Sequence, residues 1–136
     1  MAKAPTVLAL LAGSLAGLTA CATEGRRDDA RVYGGAAPVA MGDDLYGFLI
    51  TMEGARDVDE VEAYVTCVVA GYTLEKNAGF ARRVRTKVKE EGGVWIADAV
   101  YSISPALPRG LKTIDAEVTV ADCAERGIPT ARDMQV

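Results

Sequence analysis

Two neighbouring stretches decide the fold. In Asp44-Leu-Tyr-Gly-Phe-Leu-Ile-Thr-Met-Glu53, Tyr46, Phe48, Ile50 and Met52 fall on one side of a two-residue period. Leu45, Gly47, Leu49 and Thr51 fall on the other. That pattern, with its aromatic and β-branched members, predicts a strand ended by Gly54. In Asp57-Val-Asp-Glu-Val-Glu-Ala-Tyr-Val-Thr-Cys-Val-Val-Ala-Gly-Tyr72 the period changes. Val58, Val61, Val65, Val68 and Tyr72 recur every three or four residues and form one helical stripe, with Cys67 on its flank. Asp57 is placed to cap this helix, and Glu60 to return the bond as in a capping box. Asp59, Glu60 and Glu62 add negative charge where the helix dipole favours it. The helix is expected to stop at Asn77-Ala78-Gly79, with glycine taking the left-handed C-cap.

Downstream, Phe80 to Lys89 reads as a strand and Glu90-Glu91-Gly92-Gly93 as a turn. Val94 to Ser104 reads as a strand with apolar residues on both faces, so the pair suggests an antiparallel hairpin. Ser104-Pro105-Ala-Leu-Pro108-Arg-Gly110 is a loop, because its prolines cannot donate to a ladder. Lys112 to Val118 alternates as a fourth strand, and Thr119 would then cap a short helix ending at Gly127. The alternative is a single helix from Thr113 to Arg126; the clean alternation favours strand then helix. Residues 22–42, with Gly34-Gly35 and Pro38, show neither period and read as a flexible tether. The expectation is a small α+β two-layer domain over residues 43–128, followed by a frayed tail at 129–136. It would hold a four-stranded, mostly antiparallel sheet with helices on one face, in the order β-α-β-β-β-α.

Composition bounds function. The 136 residues carry a formal net charge of -4, which argues against nucleic acid as the partner. There is no histidine, which excludes Ser-His-Asp and Cys-His triads and HExxH zinc sites. Ser102 and Ser104 have no glycine elbow and no base. Asp98 is a lone carboxylate within a strand and lacks a second acid/base partner. No enzyme activity, metal or cofactor is expected.

The N-terminus carries Lys3 and then the apolar run Thr6 to Leu18, shorter than the ~20 residues a membrane span requires. It ends in Leu18-Thr19-Ala20-Cys21, which resembles the lipobox of bacterial lipoprotein precursors. The resemblance implies a signal peptide over residues 1–20, cleavage after Ala20, and a diacylglycerol on the Cys21 sulfur. Anchoring by two or more acyl chains would be stable, at ~0.8 kcal/mol per buried methylene. It further implies a domain facing the periplasm, and Ala22 after the cysteine leans towards the outer membrane. The remaining cysteines, Cys67 and Cys123, would then sit in an oxidising compartment that favours a disulfide between them. The alternative is two buried thiols. The segment from Tyr46 to Phe80 is also similar to small uncharacterised proteobacterial lipoproteins, which implies a compact α+β envelope domain.

One surface feature stands out. Arg83, Arg85, Lys87 and Lys89 are expected on one strand face, a cationic row of about 20 Å at ~3.3 Å per residue. The row reads first as a solvated face whose lysines discourage edge pairing; the alternative is a surface for an anionic glycolipid, a polymer or an acidic protein. Trp95 and Tyr101 are expected in the core or on the back of the sheet. The leading functional expectation is a non-enzymatic, lipid-anchored envelope domain that binds a protein partner. The alternative is a module for an anionic glycolipid or polymer.

Overall fold

The computed structural model describes residues 30–131. The expected signal peptide, Cys21, the first part of the expected tether and residues 132–136 of the expected tail lie outside the described residues.

Seven elements follow one another: β1 (Val32–Ala40), β2 (Leu45–Glu53), α1 (Val58–Glu75), β3 (Phe80–Glu91), β4 (Val94–Ser104), β5 (Thr113–Asp115) and α2 (Ala116–Arg126). The strands form one antiparallel sheet in the order β1-β2-β4-β3-β5. The α+β class stands, while the expected four strands become five and the order becomes β-β-α-β-β-β-α.

The additional strand is β1, within the stretch read as tether. Its small residues carry no alternation of their own, and partnership with β2 supplies the strand: Ala36 faces Ile50, Pro38 faces Phe48 and Ala40 faces Tyr46. The register shifts between Tyr33 and Ala36, at the Gly34-Gly35 pair. Pro38 is tolerable because β1 is an edge strand. The folded unit therefore begins before residue 43.

Within α1, Asp57 accepts a hydrogen bond from the Glu60 backbone N–H at 3.0 Å, as its capping role requires. The Glu60 side chain reaches one residue further back than a capping box would, to the Arg56 backbone N–H at 2.9 Å. The helix ends at Glu75, and Asn77, not Gly79, takes the left-handed conformation (φ 56°). Val61, Val65 and Val68 are buried as expected, whereas Val58 is exposed.

The second helix starts earlier than expected. Asp115, not Thr119, is its cap and accepts from the Val118 backbone N–H at 3.2 Å. The alternation at 112–118 thus holds only for residues 113–115; from Ala116 the chain is helical, and Ala116 and Cys123 face inward. Gly127 closes the helix in the left-handed conformation (φ 68°).

The core lies between α1 and the inner face of the sheet. Phe48, Ile50 and Met52 from β2 and Ala97, Ala99, Tyr101 and Ile103 from β4 meet Val61, Tyr64, Val65, Val68 and Val69. Full burial of each larger aliphatic side chain contributes about 1.5–3 kcal/mol. Tyr101 is a core residue, and Trp95 packs at the core's edge. Cys67, on the flank of the α1 stripe, is joined to Cys123 of α2 by a disulfide with the Cα atoms 5.9 Å apart. Beyond α2 the chain crosses α1 at Gly71, where a Cβ would stand 2.8 Å from both Thr130 Cβ and the Ala131 nitrogen. Thr130 is buried there, so the expected fraying does not begin at residue 129.

Candidate functional site: the helix-free sheet face

Helix α1 packs on the inner face of the sheet and α2 packs on α1. No described helix or strand lies over the opposite face, although the Met41 side chain reaches Gly47 and the loop at Gly110 meets Arg82 at one end of it; its side chains follow from the ladder register. One row across β1, β2, β4 and β3 reads Ala37, Leu49, Asp98, Lys87. The next towards the β1–β2 turn reads Val39, Gly47, Val100, Arg85, and beyond it lie Leu45, Ser102 and Arg82. In the other direction come Thr51, Ile96 and Lys89, then Val32, Glu53, Val94 and Glu91. The face is thus graded across its width. Val32, Val39 and Leu49 are about half exposed or more, at 50%, 59% and 55%. Cations line the β3 side. Single exposed aliphatics need no explanation, but a contiguous set beside a charged column is the usual mark of an interaction surface.

The cationic row differs from the sequence expectation. The β3–β4 register shifts between Arg83 and Arg85, leaving Val84 as an extra residue. Such a bulge reverses the sidedness of everything after it relative to what preceded it. Arg83 consequently points to the helix side, where its guanidinium lies 3.7 Å from Glu62 of α1. Burial works against its charge, the Tyr101 hydroxyl and Glu62 favour it, and the balance lies above the ordinary arginine value. Arg85, Lys87 and Lys89 remain together on the open face, joined there by Arg82, which the expected row omitted. Arg85 meets Asp98 at 3.4 Å across the ladder. The sequence signal for the aliphatic half was present in β2, whose second face carries Leu45 and Leu49 instead of polar residues.

The helix side holds a different cluster. Arg31 clasps Glu60 with two hydrogen bonds, of 2.7 and 3.2 Å, and the Arg56 side chain adds another of 2.7 Å. The bond from Arg31 is the main reason that the Glu60 pKa falls from 4.5 to about 2; burial opposes the fall, and the Arg56 backbone and side chain reinforce it. Above this cluster the Gly35 backbone N–H donates to the Tyr64 hydroxyl at 3.0 Å, and the Tyr33 and Tyr64 rings meet edge to face at 4.7 Å. Together these contacts fasten β1 to α1. A cavity of about 180 Å³ beside them is lined by Arg31, Arg56, Glu60 and Arg126. Its charges answer one another, since Glu60 takes Arg31 and Arg56 while Asp122 takes Arg126 at 3.4 Å. A smaller cavity of about 140 Å³ lies under β1 between Ala36, Pro38, Phe48, Val68, Tyr72 and Glu75.

Among the described residues no group of three or more cysteine or acidic side chains could hold a metal ion. Nor is any described helix long and apolar enough to cross a membrane.

Residues 33–127 match the family described as the YNQ4 C-terminal domain. The chain belongs to this family. The match runs from Tyr33 in β1 to Gly127 at the end of α2, so it contains the whole sheet and both helices. A relative in Paracoccus denitrificans, described as an uncharacterized 26.9 kDa protein in the nqo8 5′ region, is 33% identical over 89 residues. The aligned part is 65% of this chain and 35% of the relative, so the match spans about a third of the relative's length. No solved structure matches the chain.

Proposed function

We propose that this chain is a non-enzymatic interaction domain of the bacterial cell envelope. It is tethered through a lipid on Cys21, faces the periplasm, and docks a protein partner on its helix-free sheet face. The observation that carries the reading is that face itself: aliphatic side chains at Val32, Val39 and Leu49 stand in solvent on a sheet whose other side holds both helices. The Cys67–Cys123 disulfide supports an oxidising compartment, and the lack of histidine removes the commonest acid/base groups. The glycolipid alternative is less well supported, because Arg83 is turned towards α1 and Asp98 shares the open face with Arg85.

Two measurements test this. The intact mass of the membrane-extracted native protein should show a chain starting at Cys21, carrying acyl groups and lacking two hydrogens. An unlipidated chain starting at Met1 in the soluble fraction would refute the tether. For the interface, Leu49→Asp with Val39→Asp should abolish co-purification of the partner from solubilised envelopes and leave the fold unchanged. Undiminished co-purification would refute the assignment of the face.

A further inference from the structure

We infer that the occupant of the helix-free face is an acidic amphipathic helix of the partner protein, an inference that rests on the reading of this face as an interface. Three features of the face point to that shape and charge. First, β1, β2 and β4 span about 10 Å at ~4.8 Å between strands, and this part of the face carries Val32, Ala37, Val39, Leu49 and Ile96, with Val100 buried among its neighbours. A helix is about 10–12 Å across, so one helix laid along the strands covers that width and leaves its flank over β3. Second, Lys87 and Lys89 stand ~6.6–6.8 Å apart along β3, next to Arg85, whose charge Asp98 already answers. Carboxylates four residues apart on a helix are separated by about 6 Å along its axis, so a pair at i and i+4 matches the spacing of the two lysines. Third, the other occupants fit poorly. In aligned packing of a second copy against this face, a two-fold axis along the strands sets β3 against β1, whose outward residues Val32, Ala37 and Val39 include no carboxylate. A two-fold axis across the strands sets β3 against β3, cation on cation. An anionic bilayer would meet Glu53, Asp98 and Glu91 on the same surface as the cations.

The test is site-specific photocrosslinking in native cells, with a photoreactive residue at Leu49 or Val39 and, as control, at the exposed Glu125 of α2. Mass spectrometry reads the crosslinked segment. The expected result is a protein adduct from Leu49 and Val39 but not from Glu125, within a segment carrying acidic residues at i and i+4 beside an apolar stripe. Lys87→Glu with Lys89→Glu should lower the yield at least about fivefold, while Lys87→Arg with Lys89→Arg should preserve it. Circular dichroism and the intact disulfide mass establish that each variant is folded. A protein adduct whose yield ignores the charge reversal, or whose segment is basic or extended, overturns the inference and leaves the interface standing. Lipid adducts, or no adduct above the Glu125 control, overturn both.

Discussion

Arg83 and Arg85 are two residues apart in one strand, yet their side chains lie on opposite faces of the sheet. The extra residue between them, Val84, is the cause. Arg83 still faces Tyr101 and Arg85 faces Val100, so the partner strand β4 runs on without interruption. Deleting Val84 should therefore restore a regular ladder with every pair intact. Deleting Lys87 should instead force Val84 into register and bring Arg85 to the position of Thr86 on the helix side. The expected outcome is a folded protein for the first deletion, with a melting temperature within several degrees of the parent. For the second, native circular dichroism is lost. Equal damage from both deletions would contradict this account of the bulge.

Acid should unfasten β1 from α1. The Glu60 pKa is depressed from 4.5 to about 2, so its charged contacts are fully present above pH 4.5 and are lost as the pH falls through 2. The full shift would represent roughly 3 kcal/mol, and partial solvent access reduces that to about 2 kcal/mol. Glu60→Gln should lower stability at pH 7 by about this amount and flatten the decline between pH 4.5 and 2. Urea melts across that range, for parent and variant together, measure both effects.

Reduction should cost the domain heavily. The bridged cysteines are separated by 56 residues. In the chain-entropy description a loop of that length contributes roughly 4 kcal/mol, and for a domain near 100 residues this lowers the melting temperature on the order of 20 °C. Cys67→Ser with Cys123→Ser should reproduce the effect of a reductant. The two treatments together should have no more effect than either alone in thermal melts.

Thr86 carries a stability reserve of the opposite sign. Its hydroxyl is buried on the helix side of β3 without a hydrogen-bond partner. Thr86→Val keeps the shape and removes the orphaned group, so it should raise stability by about 1 kcal/mol. A lower denaturation midpoint would show that the hydroxyl is satisfied in solution.

The sequence revealed most where a residue's surroundings are local. The α1 cap at Asp57, the strand at 45–53, the hairpin turn at Gly92-Gly93 and the end of α2 at Gly127 all depend on neighbours a few positions away. Each was legible. Strand β1 was not, because Gly34-Gly35-Ala36-Ala37-Pro38 has no intrinsic strand preference and becomes a strand only beside β2. The start of α2 was misplaced for a related reason: the alternation at 112–118 is real, but Asp115 caps a helix within it. The cationic row was half legible. Its members are contiguous in sequence, yet which of them share a face depends on a single unpaired residue opposite Tyr101 and Val100.

The strand order also has a consequence for how the molecule comes into being. β4 lies at the centre of the sheet, between β2 and β3, yet it is made after both. A chain emerging N-terminus first must hold β1 and β2 as a two-stranded ribbon supported by α1 alone, short of the three strands a stable sheet needs. The sheet can close only once Ser104 has appeared. Cys123 arrives later still, so the Cys67 thiol waits while 56 further residues are made. During that interval any helper that shields nascent chains, or any oxidant that mispairs thiols, acts on a half-built sheet, and the last helix to emerge is the one that locks the product.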